Sequence, residues 1–393
     1  MKPGLVSAAG QGLSLIELLV SLAIGLVVTI AMTSALIRNE SSRRTTASAS
    51  DLNKTGSSAA FILDRAIRNG GSGFSQNWAS VFGCRLDILR GDSLLLPATL
   101  QPSSAFANLK ATAMNVRLAP VIIGKGLADM RTDTRGDVLM VMSGTAGMSE
   151  SASIVSSISG NVLVLPNTLG YRAGDLILLA HDPAGGDCTV QQVGAVEASS
   201  ASITLSGKYH AGPGANVDPR AFAARSIAFQ LGSEDYPPQL RWFGVGAGQT
   251  LFSYDLLKSA ADGPESPIAE GVVEMRALYG VQTGSSPAGT ADVWVDPSGP
   301  EYSFDILTGG SAEARLSLRK LVAIKVGLVL RAPLHDQPEH RHDETVTLFG
   351  DVRGAGDVSL AYTRKISGTD LGYRYRTVEF TIPLRNVLMA PPS

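Results

Sequence analysis

The hydrophobic and polar positions divide the chain into an apolar run, an amphipathic stretch and a long region of short alternating segments. Residues 13–37 hold only apolar, small and hydroxyl side chains apart from one carboxylate, Glu17. A helix of about 25 residues is roughly 37 Å long at ~1.5 Å rise per residue, which is enough to cross a bilayer with some tilt. The run therefore predicts a membrane-spanning helix.

Residues 38–69 continue the helical pattern in amphipathic form. Apolar side chains recur there at helical spacing, at Leu52, Ala59, Ala60, Ile62, Leu63, Ala66 and Ile67. Charged side chains make up the other face, with Arg43, Arg44, Asp51, Lys54, Asp64, Arg65 and Arg68. The spacing predicts that the first helix continues to residue 69, and Gly70-Gly71 predicts its end.

After Cys84 the pattern changes to short apolar segments separated by turn residues, which is typical of β-strands. The predicted strands are 93–96, 136–142, 161–165, 175–180, 189–193, 203–205, 226–231, 239–243, 249–254, 272–281 and 321–330. Gly136-Asp137 and Gly174-Asp175 are interpreted as turns that lead into buried strands. A helix is predicted from Ala312, and residues 373–386, with alternating aromatic and charged side chains, predict an exposed edge strand.

The single acid in the apolar run needs an explanation, because a charge inside a membrane-length helix costs ~2.5 kcal/mol or more. A secretory signal peptide with Lys2 as its basic start, or a plain signal anchor, would leave Glu17 unexplained. The run also exceeds the ~7–15 residues of a signal-peptide core. Arg38, Arg43 and Arg44 follow the run and oppose the usual bias of positive charge toward the cytoplasmic side.

Gly12 and the stretch from Leu13 to Gly25, with an acid five residues after the glycine, resemble the processing motif of type IV pilins and pseudopilins. The resemblance implies that residues 1–12 are a leader and that a prepilin peptidase cuts after Gly12 and methylates the new amino group of Leu13. Leu13 departs from the phenylalanine usual in the family, as in many minor pilins and pseudopilins.

A physical role for Glu17 follows without the family. A buried acid is tolerated when a neighbouring chain brings a positive group to it, and a new N-terminal amine is such a group when chains stack with an axial stagger. Glu17 therefore indicates an assembly register. The same apolar helix would lie in lipid before assembly and against like helices in the filament core afterwards.

Other segments resemble the minor pilin family PilW, namely 61–71 with Phe74 and Cys84, 273–281, 322–331 and 383–386. This resemblance implies an α+β fold. A long N-terminal helix, with a membrane-spanning half at 13–37 and an amphipathic half at 38–69, would pack on a β-rich head at 70–393. The head is long enough for one large core or two small ones.

Composition and charge narrow the function further. The formal charge of the 393 residues is −2, so no basic excess suggests nucleic acid as a partner. The two cysteines, Cys84 and Cys188, both follow the apolar run. They would face an oxidising compartment if the head is exported, where they could pair; two unpaired buried thiols are the alternative.

The strong catalytic motifs are absent from the sequence, so we expect neither an enzyme nor a cofactor. Side chains of metal-binding type cluster in one polar stretch, at His335, His340 and His342, without a recognisable ligand spacing. Three aspartates, Asp292, Asp296 and Asp305, are of the type that binds calcium, but they lack the spacing of an EF-hand loop. Residues 373–376 could bind a polyanion by stacking and charge, but an ordinary edge strand is the simpler interpretation.

The sequence therefore predicts a minor type IV pilin that helps to start pilus assembly at or near the filament tip. Its expected partners are other minor pilins, the major pilin, a tip adhesin, the prepilin peptidase and the inner membrane of a Gram-negative bacterium. The head would lie in the periplasm before assembly and on the surface pilus afterwards. The alternatives are a large minor pseudopilin of a type II secretion system and a membrane-anchored binding protein or hydrolase.

Overall fold

The computed structural model describes residues 14–91, 93–97, 105–106, 116–128, 136–145, 152–181, 186–210, 222, 226–284, 289–335 and 343–390. It divides the chain into two compact units, residues 1–51 and residues 52–393. Gly12, Leu13, His340 and His342 lie outside the described residues. The predicted α+β fold, with an N-terminal apolar helix and a large β-rich head, is confirmed.

The described helices are α1 Leu15–Asn69, α2 Trp78–Val81, α3 Phe304–Leu307, α4 Ala312–Lys320 and α5 Arg385–Leu388. Short 3-10 turns lie at Ser75–Asn77, Ala247–Gln249, Ala260–Asp262, Ala355–Asp357 and Gly368–Gly372. The predicted end of α1 is confirmed, and Gly71 takes the left-handed conformation, with φ 83°, that follows many helices. Ser311 caps α4, because its Oγ accepts a hydrogen bond from the amide of Ala314 at 3.1 Å.

The described strands are β1 Arg85–Arg90, β2 Ser93–Leu96, β3 Val121–Ala128, β4 Gly136–Ser143, β5 Ser153–Ile154, β6 Ser157–Ser159, β7 Val162–Val164, β8 Asp175–His181, β9 Asp187–Glu197, β10 Ser202–Leu205, β11 Ser226–Ser233, β12 Gln239–Gly246, β13 Thr250–Asp255, β14 Glu265–Glu270, β15 Val272–Val281, β16 Val293–Val295, β17 Leu321–His335, β18 Thr345–Leu348, β19 Tyr362–Lys365 and β20 Tyr373–Pro383. Every strand predicted from the sequence therefore has a counterpart among them.

These strands form four sheets. The large sheet has the order β5-β11-β8-β9-β10-β7-β6, with β1 beside β9 and β2 beside β1. The five-stranded sheet is β14-β13-β12-β4-β3, the terminal sheet is β16-β15-β17-β20, and the hairpin sheet is β18-β19. Their pairings are antiparallel except that of β1 with β9.

The terminal sheet lies between α1 and the hairpin sheet. On one face, a Cβ atom on Gly56 of α1 would lie 2.7 Å from Leu330 Cδ1 and 3.0 Å from Val378 Cγ2. On the other face, a Cβ atom on Gly327 would lie 2.9 Å from Phe349 Cζ. Both glycines thus allow a close approach, because any larger residue would collide with a packed side chain.

Residues 52–69 of α1 bury one stripe of side chains in the main core. Leu52, Gly56, Ala59, Leu63 and Ile67 are buried, at spacings of three and four residues. The expected packing of the amphipathic half on the β-rich head is thus confirmed for residues 52–69. Phe61, on the opposite side, is 66% exposed.

The edge-strand prediction for residues 373–386 is confirmed in part. The strand β20 is the last strand of the terminal sheet, but it ends at Pro383, and Arg385–Leu388 form α5. The extension to Asn386 was wrong because the chain turns after Pro383. The side-chain Nδ2 of Asn386 then donates to the carbonyl oxygens of Asn69 and Gly70, at 3.2 and 3.1 Å. This long-range cap satisfies carbonyl groups at the end of α1.

Candidate assembly interface

The first 23 residues of α1, Leu15–Ile37, form a helix that is long and apolar enough to cross a membrane. Its large apolar side chains are exposed within the chain itself, for example Leu15 at 81% and Leu36 at 68%. Exposed apolar area of this extent is rare on soluble monomers, so the segment requires lipid or other protein around it.

Glu17 is the one charged residue of this segment and lies in the first turn of α1. The backbone there is ordered, since the amides of Glu17 and Leu18 donate to the carbonyl of Ser14 at 2.9 and 3.1 Å. The carboxylate has no hydrogen bond or ion pair with any residue of the described ranges. A negative charge at this end of a helix is favoured by the helix dipole, but that interaction does not replace a positive partner.

Three other polar side chains of the segment, Ser21, Thr29 and Thr33, are satisfied by their own helix. Ser21 Oγ donates to the carbonyl of Leu18 at 2.9 Å. Thr29 and Thr33 donate to the carbonyls four residues before them, at 2.7 and 2.8 Å. Such bonds allow hydroxyl groups in an apolar environment, because no donor is left without an acceptor. Glu17 therefore differs from these three residues in having no partner in the described part of the segment.

Small and polar residues follow one another at intervals of four along this helix, at Glu17, Ser21, Gly25, Thr29 and Thr33. A Cβ atom on Gly25 would meet nothing within 4 Å. Small residues at this spacing allow the backbones of two membrane helices to approach closely. The stripe could thus bring Glu17 near a neighbouring helix.

Cys84 and Cys188 are joined by a disulfide with Cα atoms 5.8 Å apart. Both side chains are buried. Cys188 belongs to β9, and Cys84 immediately precedes β1, which pairs with β9 in parallel. The bond links positions 104 residues apart and therefore ties the start of the head to the large sheet.

The candidate metal ligands do not form a site among the described residues, where no group of three His, Cys, Asp or Glu could hold an ion. His335 packs its ring edge against Tyr373 and has Nε2 3.2 Å from the carbonyl of Thr369. Asp296 pairs with Lys125 at 2.6 Å. Asp292 accepts from the amides of Thr283 and Gly284 and from the Thr283 hydroxyl, and Asp305 lies in the first turn of α3.

The start of β20, where polyanion binding was considered, is part of a local side-chain cluster. The guanidinium of Arg331 lies 4.2 Å from the centre of the Tyr373 ring, and Arg331 also pairs with Asp370 at 3.0 Å. Because Arg331 and His335 pack against the Tyr373 ring, this ring offers little surface for stacking on a base. The geometry favours the interpretation as an edge strand.

A network of buried charges, which the sequence pattern does not predict, joins three sheets. Glu274 on β15 accepts from Arg276 Nε at 2.7 Å and from Arg364 Nη1 of β19 at 2.9 Å. Arg276 also reaches Asp137 on β4 and donates to the Tyr362 hydroxyl at 2.9 Å. Gly136-Asp137 was interpreted as a turn, but both residues belong to β4, and no local signal identifies residues 139 and 90 positions apart as partners.

Comparison with known proteins gives one family. Residues 244–386 match the family described as Type IV Pilus-assembly protein W, PilW. The match begins in β12 and ends in α5, so it contains the whole terminal sheet and hairpin sheet. Among curated proteins and solved structures, none matches the chain. The matched region indicates a protein related to type IV pilus assembly, and the apolar helix lies outside it.

Proposed function

We propose that the chain is a minor type IV pilin, a non-catalytic structural subunit that helps to start pilus assembly at or near the filament tip. The observation that carries the proposal is Glu17, a lone acid without a described partner in an exposed apolar helix of membrane length. The match of residues 244–386 to a pilus-assembly family supports it from the other end of the chain.

In this proposal, Gly12 and Leu13 are the processing site, and the amino group of Leu13 becomes a charged terminus after the leader is removed. A neighbouring subunit displaced along the filament axis places its own terminal amine beside Glu17. An ion pair in this apolar setting is strongly position-dependent, because a displaced partner leaves both charges without compensation. Glu17 therefore sets the register of the subunit.

The partners in this proposal are other minor pilins, the major pilin and a tip adhesin, with the prepilin peptidase acting first. The chain resides in the inner membrane of a Gram-negative bacterium, with the head in the periplasm, until it enters the filament. The size of the head supports a place at the tip, since so large a domain would crowd every position along a thin filament. No cofactor is required for such a structural role.

The runner-up is a large minor pseudopilin of a type II secretion system, because pseudopilins have the same processing motif. The family match favours the pilus, since its description names pilus assembly. A membrane-anchored hydrolase has no comparable support. The buried acids Asp137 and Glu274 bind arginines and a backbone amide, and neither is open to solvent.

The experiment that tests the proposal is deletion of the gene, followed by complementation with the intact chain and with Gly12→Val. We expect deletion to abolish or sharply reduce surface pili while protein secretion continues. The intact chain should restore pili and give a mature mass that begins at Leu13, whereas Gly12→Val should keep its leader and fail to restore them. Normal piliation with defective secretion would favour the pseudopilin, and normal behaviour in both would reject assembly as the function.

A further inference from the structure

The described sheet edges differ in how they are protected from another strand. The edge strand β14 carries Pro267 and two glutamates, Glu265 and Glu270. The edge strand β3 is largely buried, and its Ile123 amide donates to the Tyr279 hydroxyl at 2.5 Å. The edges at β5, β6 and β16 are only two or three residues long. Proteins usually prevent edge pairing with a proline, with charged side chains, by burying the edge under other groups, or by keeping the edge strand short.

The outer edge of β20, which faces away from β17, carries charged side chains but is neither short nor interrupted by proline along most of its length. The strand has 11 residues, and its proline is the last of them. The amide of Leu384 bonds to the carbonyl of Val322, so even-numbered residues direct their backbone groups to β17. Odd-numbered residues direct theirs outward, at Tyr375, Thr377, Glu379 and Thr381. No residue of the described ranges hydrogen-bonds to these outward groups.

The side chains beside this edge favour an acidic partner. Arg374 and Arg376 share one face of the strand with Val378 and Phe380, and Arg376 is exposed with no partner among the described residues. The acid of the strand, Glu379, lies on the other face and is already engaged. It accepts from the amide of Phe349 at 2.8 Å and lies 3.9 Å from Lys325.

An antiparallel pair of two copies of the chain does not fit this pattern. Residues directly opposite in a pair of strands lie on the same face of the sheet. Because the arginines occupy even positions and Glu379 an odd one, no antiparallel pairing of β20 with itself places the acid opposite an arginine. In a parallel pair of two outer edges, odd-numbered residues of one copy would lie opposite even-numbered residues of the other, so the position of the charges excludes the antiparallel pair alone. A two-fold pair would also close on itself, whereas filament growth needs a contact that does not close.

The geometry points to the outer edge of β20 as the acceptor of an extended segment from a different pilus subunit, which adds as a fifth strand to the terminal sheet. That segment carries a carboxylate opposite Arg376. Backbone hydrogen bonds to the odd-numbered residues supply the affinity, and the acid selects the partner. This inference rests on the proposed function, since the partner is another subunit of the same filament.

Proline at an outward position tests the inference with little harm to the fold, because only an unused N–H is removed. Thr377→Pro is compared with Thr377→Ala, which keeps the N–H. The full-length chains are co-expressed in membranes with the tagged other subunits of the same pilus, and the amount co-purified is measured. We expect Thr377→Ala to resemble the wild type and Thr377→Pro to reduce co-purification by about tenfold.

A second variant removes the charge without changing the backbone. Arg376→Glu should reduce co-purification to a similar extent, and each variant should keep the Cys84–Cys188 bond and the unfolding midpoint of the wild type. If Thr377→Pro fails to fold, the amount of the other subunits that co-purifies with the charge-reversed chain tests the inference instead. In the wild-type complex, the amides of Thr377, Glu379 and Thr381 should exchange with deuterium more slowly than in the chain alone.

The outcomes separate this inference from the proposed function. If the wild type associates with the other subunits and both Thr377→Pro and the charge reversal associate equally well, the edge is not the contact and the function stands. If the wild type associates with none of them, the proposed function fails together with the inference. If the variants lose only self-association, the occupant is a second copy and the inference is overturned.

Discussion

Arg276 and Asp137 form a buried ion pair between the terminal sheet and the five-stranded sheet. Nη1 of Arg276 lies 3.1 Å from Oδ1 of Asp137, and the side chains are 12% and 3% exposed. Asp137 also accepts from the amides of Ala277 and Gly126, both at 3.0 Å. The carboxylate thus links β4 to β15 and to its own neighbour β3, and its oxygen atoms are satisfied.

Asp137→Ala should destabilise the head by about 3–5 kcal/mol, because it leaves the Arg276 charge buried with a partner lost. Chemical denaturation of the full-length chain in detergent measures the loss. The matched control is Asp296→Ala, which breaks the half-exposed pair with Lys125 and should cost about 0–1 kcal/mol. Equal effects of the two substitutions would show that the buried pair has no special part in joining the sheets.

Gly56→Ala should weaken the packing of α1 on the terminal sheet. The new Cβ atom would approach Leu330 to 2.7 Å, and overpacking of this kind costs about 1–3 kcal/mol, partly offset by the better helix propensity of alanine. Gly25→Ala is the matched control on the same helix, because nothing lies within 4 Å of its Cβ position. Thermal unfolding of the head should shift for Gly56→Ala alone. A shift of the same size for both would mean that the close contact at Gly56 is unimportant.

Loss of the disulfide should lower stability strongly. Cys84 and Cys188 close a loop of 104 residues, for which the chain-entropy model gives about 4–5 kcal/mol, and removal of native disulfides typically costs about 2–5 kcal/mol. The double substitution Cys84→Ser with Cys188→Ser should therefore unfold at clearly lower denaturant concentration. Thiol labelling of the unfolded, unreduced wild type provides the check on pairing. Labelling of two thiols per chain would contradict the bond.

Stability should depend on pH through Asp87. Burial raises the pKa of this carboxyl to about 6 against the opposing effect of Arg85. Because the folded-state pKa lies above the ordinary value of about 3.9, the folded state binds the extra proton, and the contribution of Asp87 to stability increases as pH falls from about 7 to about 4. Asp87→Asn should remove this dependence. Melting temperatures of both chains at pH 4.5 and 7.5 test it, and parallel profiles would rule it out.

How far the sequence predicts the structure depends on the range of the interactions. Val272–Val281 has the same bounds as predicted because most of its side chains are apolar and buried in a local run. The strand β19 was not predicted, since its residues include an arginine that is buried only because Glu274 lies opposite. The strand β20 ends at Pro383, and Asn386 of the following helix contacts the end of α1, more than 300 residues earlier. Such long-range partners leave no periodicity in the sequence.

The same distinction applies to the candidate assembly interface. Glu17 is recognisable in the sequence because it is the one charged residue of an apolar run. The outward edge of β20, in contrast, requires knowledge of the sheet order and of which backbone groups β17 uses. Alternating residues alone indicate a strand but not which of its sides is unpaired.

Incorporation of Glu17 variants into pili tests the central claim most directly. Glu17→Gln removes the charge with little change of shape, Glu17→Asp keeps the charge, and Glu40→Gln is the control on the same helix beyond the apolar run. All should insert into the membrane and be processed. In sheared pili, we expect the amount of Glu17→Gln relative to its membrane pool to fall by about tenfold or more, with Glu17→Asp reduced less and Glu40→Gln unchanged. Wild-type incorporation of Glu17→Gln would contradict a role for this carboxylate in assembly.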